Sequence, residues 1–386
     1  MLRYALGLVA LLTIFSSCST EFNLTGEYQE KALVYGLLDP SDNPNTGGDG
    51  HLFRIQKAFL GEESAFVMAQ NADSSYFKYE DLFVEVAEYD ENGDETNRWA
   101  LDTVVIGNKE TGNPDDGVID FFGPTQRLYK LDENIDADME YEVTLKKRPS
   151  IIPIGDMTIA NMDTVTPIAD AITAIVNPTS FRWNTPSKIS HDNGTAQKMD
   201  LFNTSGQFKD YTIRFDAADR ARQYEVWMRF YYREVVGGNE TEKSIEWQVS
   251  TFELESGASS WQVQLPSEGI YSRIGSELSV DPTIIRYIGL KAGSPNNLVP
   301  SGNFSHDFDF FIRMAGDELF EYININNPSN SGALQDKPVY TNVNNGLGVV
   351  SSRTETKFRG LYLTPSAEQQ LVDGEYTQGL NFTDDD

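Results

Sequence analysis

From Lys31 onward, apolar residues recur with a period of two, the spacing of strands that bury one face. Leu82, Val84 and Val86 alternate with Phe83, Glu85 and Ala87, and Tyr141, Val143 and Leu145 alternate with Glu142, Thr144 and Lys146. Between such runs lie clusters that tolerate positive φ or preset a turn: 39–50, Asp90-Glu91-Asn92-Gly93-Asp94, and 112–117. Asn92-Gly93 between two strand-like runs predicts a hairpin. Residues 31–148 therefore read as one antiparallel β-sandwich.

Pro149, Pro153, Pro167 and Pro178 punctuate a stretch without a clean period, which places a linker at 149–180. A second β region, 181–350, opens with Phe181-Arg182-Trp183 and contains the clearest hairpin of the chain. There Tyr224, Val226, Met228, Phe230 and Tyr232 alternate with Glu225, Trp227, Arg229, Tyr231 and Arg233, Gly237-Gly238-Asn239 turns, and Ile245, Trp247 and Val249 return. Both regions have the size and patterning of immunoglobulin- or fibronectin-like sandwiches. Two short helices interrupt the second. Ile270, Ile274 and Leu278 recur at helical spacing within 269–278, and Asp317–Ile323 can cap a turn or two with Leu319, Phe320 and Ile323 inward. Residues 351–386 thin out in apolar positions and end in three aspartates, as a loose acidic tail would.

The length, 386 residues, suits two domains. Acidic side chains number 59 against 30 basic ones, a formal charge of −29 spread along a chain with 12% aromatics, so a folded acidic protein is expected. A field of that sign repels polyanions, which argues against nucleic acid as a partner. One cysteine excludes an internal disulfide framework and a cysteine-based zinc site.

That cysteine sits in an informative place. Arg3 supplies a positive start, Tyr4–Phe15 is apolar but too short to span a bilayer, and Ser16-Ser17 precedes Cys18. Phe15-Ser16-Ser17-Cys18 resembles a lipoprotein signal, with residues 1–17 as signal peptide, Cys18 as the acylated residue and 18–30 as a tether. Residues 19–23 are similar to the short acidic, serine and phenylalanine signals that direct lipoproteins to the bacterial surface.

Candidate chemistry is sparse. The three histidines, His51, His191 and His306, have no metal-ligand partner at helical spacing. In His306-Asp307-Phe308-Asp309, strand geometry would send the two aspartates to one face and the imidazole to the other. Asp90, Asn92 and Asp94 resemble the first ligands of a calcium loop, but Gly93 comes at the fourth position and no helix follows, so a turn competes with a structural calcium site. A second oxygen-rich loop spans Asn113–Gly117. Trp227, Arg229, Tyr231 and Arg233, opposite the Trp247 strand, could form an aromatic and basic ridge for a sugar ring, against the alternative that both faces of their strand are covered. Asp102-Thr103-Val104 and Asp163-Thr164-Val165 match an O-glycosylation triplet used by Bacteroidota. No catalytic motif emerges.

Three segments carry a broader resemblance: Ala32-Leu33-Val34-Tyr35-Gly36-Leu37-Leu38-Asp39-Pro40, Arg54–Gly61, and Asn344-Asn345-Gly346-Leu347-Gly348-Val349-Val350-Ser351-Ser352-Arg353. With them the chain resembles a family of uncharacterised Bacteroidota outer-membrane lipoproteins. The resemblance implies immunoglobulin-like β domains lipid-anchored at the outer membrane, at the cell surface or facing the periplasm. It also implies a non-catalytic binding or scaffold role beside an outer-membrane barrel, in transport, assembly or secretion. A surface glycan-binding or glycan-active protein is the alternative.

Overall fold

The computed structural model describes residues 31–383, apart from 43, 47, 59–64, 80, 108–121, 148–150, 155–156, 161–166, 175–180, 184–196, 255–259, 292–293, 295–305 and 327–338. The fold is mainly β and of the sandwich class, as the two-residue period predicts. Its first part runs β1 (Lys31–Leu38), β2 (His51–Ala58), β3 (Leu82–Tyr89), β4 (Glu95–Ala100), β5 (Asp102–Ile106), β6 (Gln126–Leu131) and β7 (Glu140–Lys147), with short helices α1 (Ala65–Ala69) and α2 (Ala72–Ser75) before β3. A small hairpin, β8 (Ile151–Ile154) and β9 (Met157–Ala160), precedes β10 (Pro167–Ala174). The second part runs β11 (Phe181–Trp183), β12 (Gln197–Met199), β13 (Tyr211–Asp216), β14 (Gln223–Val236), β15 (Asn239–Glu253) and β16 (Ser260–Leu265). Helix α3 (Ser267–Glu277), β17 (Ile285–Ile288), β18 (Phe308–Ala315), α4 (Asp317–Asn326), β19 (Leu347–Leu363), α5 (Pro365–Asp373) and β20 (Phe382–Thr383) complete it.

Two cores organise these strands. In the first, Val34, Phe53, Ile55, Tyr129 and Leu131 of one sheet meet Leu82, Val84, Val86, Tyr141, Val143 and Leu145 of another, ordered β10-β7-β3-β4. At roughly 1.5–3 kcal/mol per large apolar side chain, such burial dominates local stability. The expected alternation on β3 holds for its inner face, but the other face is closed too: Ala87 is fully buried and Glu85 is paired with Arg98 and Lys146. In the second core, Tyr224, Val226, Met228, Phe230 and Tyr232 of β14 pack with β13, β16, β18, α3 and α5. Both predicted hairpins are present: β3 pairs antiparallel with β4 around Asn92-Gly93, and β14 with β15 around Gly237-Gly238. Helix α3 buries Ile270, Tyr271 and Ile274 at helical spacing. Helix α4 turns Phe320 inward but leaves Ile323 39% exposed, against expectation.

Two expected boundaries do not survive. Residues 149–180 are not simply a linker, because β10 pairs with β7 and buries Ala169 and Ala171 in the first core. Pro167 is the first residue of this edge strand, a position where proline is tolerated. Residues 351–386 are not a loose tail. Residues 351–363 belong to β19, which pairs in parallel with β1 through Leu347–Ser352 and antiparallel with β18 through Arg353–Leu361. This one strand joins the strands of both cores into a single eleven-stranded sheet, nine of them in one path with β12 and β15 paired off it, so 31–148 and 181–350 are not separately closed sandwiches. At the handover, Arg353 Nε donates to Asp39 Oδ2 at 3.0 Å. Gly348 is required just before it: its φ is +114°, and a Cβ there would lie 2.0 Å from the Val34 carbonyl oxygen.

Candidate functional site

The outward face of β14 carries the residues singled out by the sequence. Because the inward set fills the second core, Glu225, Trp227, Arg229 and Tyr231 point the other way. Cross-strand register sets their neighbours: Arg229 lies opposite Glu246 on β15, Trp227 opposite Phe311 on β18, and Arg313 opposite Glu355 on β19. Arg229 Nε donates to Glu246 Oε2 at 2.8 Å, Arg313 Nη2 donates to Glu246 Oε1 at 2.9 Å, and Arg313 Nε donates to Glu355 Oε2 at 2.7 Å. Lys357 Nζ reaches Glu355 Oε1 at 2.8 Å.

The guanidinium groups also cover rings. Arg313 lies 4.8 Å from the Trp227 ring centroid and Arg229 4.6 Å from that of Phe311, within cation–π range. The Trp227 indole N–H donates to Glu225 at 2.9 Å. The expected basic ridge is therefore electrically balanced: Glu225, Glu246 and Glu355 stand among Arg229, Arg313 and Lys357. Burial alone would raise the Glu355 pKa, but Lys357 and Arg313 outweigh it and hold the carboxyl below its usual range. Trp227 and Arg229 are half-buried, with one face of the indole taken by Arg313. Glu246, Phe311, Arg313, Glu355 and Lys357 were not singled out by sequence; the two-residue spacing of Phe311 with Arg313 and of Glu355 with Lys357 is the signal that marks them.

Tyr231 leads inward. Its hydroxyl donates to Asp309 Oδ2 at 2.7 Å, and burial followed by the Asp309 charge pushes its pKa up to about 12. The imidazole of His306 meets the other oxygen of that carboxylate through Nε2, and Gly360 N–H donates to the same oxygen at 3.1 Å. Strand geometry had separated His306 from Asp309. They meet because His306 precedes β18 and an extra residue on β19, beside Gly360 at φ +80°, bulges the ladder between Phe308 and Phe310. His306 and Asp309 are 1% and 2% exposed, and His306 Nδ1 is buried without a hydrogen-bond partner among the described residues, so this is an enclosed polar node within the sheet.

The calcium candidates serve a turn. Asp90 Oδ1 accepts from the backbone N–H of Asn92 and of Asp94, each at 2.9 Å, and Asp90 Oδ2 accepts from the Asn92 side chain at 3.2 Å. These amide bonds hold the Asp90 carboxyl below its usual range and commit its oxygens to the hairpin. Among the described residues, no group of three acidic, histidine or cysteine side chains is placed to hold a metal ion. His51 is buried, and burial depresses its pKa; its Nδ1 faces the Asp39 N–H at 3.4 Å. Cys18, His191, Asn113–Gly117 and Asp163-Thr164-Val165 lie outside the described residues. Thr103 lies on β5, the last strand of its sheet path. No protein-family model matches the chain, and no curated protein matches it.

Proposed function

We propose that this chain is a non-catalytic envelope lipoprotein, held at the outer membrane through acylated Cys18, that acts as a binding or scaffold subunit beside an outer-membrane barrel. The observation that carries the reading is the shared strand β19, which ties strands from both cores into one path. Such a plate presents fixed surfaces and suits holding a partner better than closing around a substrate. The ion-pair lattice on β14, β15, β18 and β19 stiffens it further. The lipoprotein pattern at Phe15–Cys18 supplies the attachment, several acyl chains being needed for a durable anchor. As a glycan platform, the alternative reading, the Trp227 face is disfavoured by the guanidinium that already stacks on the indole.

Mass spectrometry of protein isolated from membranes tests the anchor. A Cys18 N-terminus carrying acyl chains is expected, with Cys18→Ser shifting the chain to the soluble fraction. An unmodified Cys18 in membrane-derived material would overturn it. Purification in mild detergent tests the scaffold role, which predicts a stoichiometric barrel protein and is refuted by a solitary chain across several detergents.

A further inference from the structure

The described chain offers a second aromatic site, away from the Trp227 lattice. The segment running from α2 to Tyr79 and the β5–β6 end of the first sheet line an open pocket of about 370 Å³, inside the roughly 300–1,000 Å³ range of small-molecule sites. Tyr76 and Phe122 meet edge to face at 6.2 Å and build one wall, tied to α1 by the Phe122 N–H donating to the Ala69 carbonyl at 2.8 Å. At the mouth, Tyr79 is 45% and Val105 69% exposed.

The polar lining is equally specific. Arg127, which lies opposite Val105 in the β5–β6 ladder, donates through Nη1 to the Phe77 carbonyl at 3.0 Å, which fixes the guanidinium at the pocket. That acceptor is neutral, and Arg127 has no ion-pair partner among the described residues. Lys78 has no ion-pair partner among the described residues, whereas Asp73 supplies the one carboxylate in the described lining. Among the described lining residues, two cations stand against one carboxylate, on a chain of −29. The net charge opposes any anion at long range, but salt limits that field to about 8–10 Å, so the pocket's own balance decides for a small ligand.

We infer that this pocket binds a carboxylated sugar of the uronate type. Its ring would lie against Tyr79 and the Tyr76–Phe122 wall, and its carboxylate would pair with Arg127 and Lys78. Sugar rings offer C–H faces to aromatic rings and hydroxyls to polar groups, and a guanidinium held at the mouth recognises a carboxylate through paired donors. The inference stands apart from the anchor and the scaffold role, since it depends on neither.

Titration calorimetry and saturation-transfer NMR on the purified mature chain test it, with digalacturonate as probe and its methyl ester as the uncharged counterpart. The acid is expected to bind about ten-fold or more tightly than the ester, as a charge-assisted contact would give. Arg127→Gln with Lys78→Gln should reduce that preference to about two-fold or less, and Tyr79→Ala should weaken both sugars by roughly ten-fold. Arg273→Gln, which removes a remote surface cation on α3, should change neither. Equal binding of acid and ester, a preference that persists in the double variant, or no saturation transfer from either sugar at millimolar concentration would each overturn the proposal. Loss of the sugar site would leave Cys18 acylation and barrel association untouched.

Discussion

Arg286 is the side chain through which the C-terminal segment is most directly testable. It is 2% exposed at its side chain and makes three directed contacts: Nε to Glu234 Oε1 at 3.0 Å, Nη1 to the Leu380 carbonyl at 2.7 Å, and Nη2 to the Ser279 carbonyl at 3.2 Å. Arg286→Met keeps the apolar stem and deletes all three. Removing one partner of a buried pair costs about 3–5 kcal/mol, and each hydrogen bond from a charged donor contributes about 1.5–3 kcal/mol. Two features pull the sum down. Lys243 remains 2.7 Å from Glu234, so that carboxylate is not stranded, and the methionine fills much of the vacated volume. The expected loss is about 3 kcal/mol, measured by urea unfolding followed by tryptophan fluorescence. Because one of the lost bonds holds Leu380, amide exchange should accelerate most across residues 375–383, ahead of β13 and β16. In Arg286→Met with Glu234→Gln, the two losses should fall short of additive by about 1.5 kcal/mol or more. A loss under about 1 kcal/mol, or unchanged exchange at 375–383, would refute the account of this segment as a pinned part of the second core.

Two further perturbations address the junction between the cores. Glu318 accepts from Ser351 at 3.1 Å and Thr173 at 3.4 Å, and burial raises its pKa. A raised carboxyl pKa contributes stability that is complete below the unfolded value, near 4.3, and is lost as pH climbs through the folded value, so Glu318→Gln should match the wild type in acid and exceed it at neutral pH. Thermal unfolding across pH checks this, and a gain confined to acid would contradict it. Gly348→Ala places a methyl 2.0 Å from the Val34 oxygen at φ +114° and should cost about 3 kcal/mol or more. Gly93→Ala, at φ +79° with open space around its Cβ, should cost only about 1–2 kcal/mol, and equal losses in the two variants would show that the close approach to β1 is not what requires Gly348.

The sequence made some parts of this architecture plain and concealed others for physical reasons. Alternation on β14 stands out because Tyr224, Val226, Met228 and Phe230 are large and apolar, and Asn92-Gly93 and Gly237-Gly238 are turns that few other residues could make. Strand β19 was hidden because its buried positions include Ser351, Ser352 and Thr354, small hydroxyl residues that fill space without a hydropathy signal. Its partner-facing Glu355 and Lys357 look like surface charges until β18 brings Arg313 alongside. Trp227, Arg229 and Tyr231 on the outward face of β14 stand out in the sequence, but the charge balance of that face does not, since the neutralising carboxylates arrive from β15 and β19. The Tyr76–Arg127 pocket left no local pattern at all: its walls lie some fifty positions apart and meet only when β6 comes beneath the α2 segment.

The placement of β1 has a mechanical consequence. It starts at Lys31 and is clamped along its length by β2 on one side and β19 on the other. A pull from the N-terminal side, in line with the strand, loads both ladders in shear, so their hydrogen bonds must fail together rather than one after another from an end. This strand is thus built to carry tension, and a strain applied there spreads at once into the backbone common to both halves of the molecule.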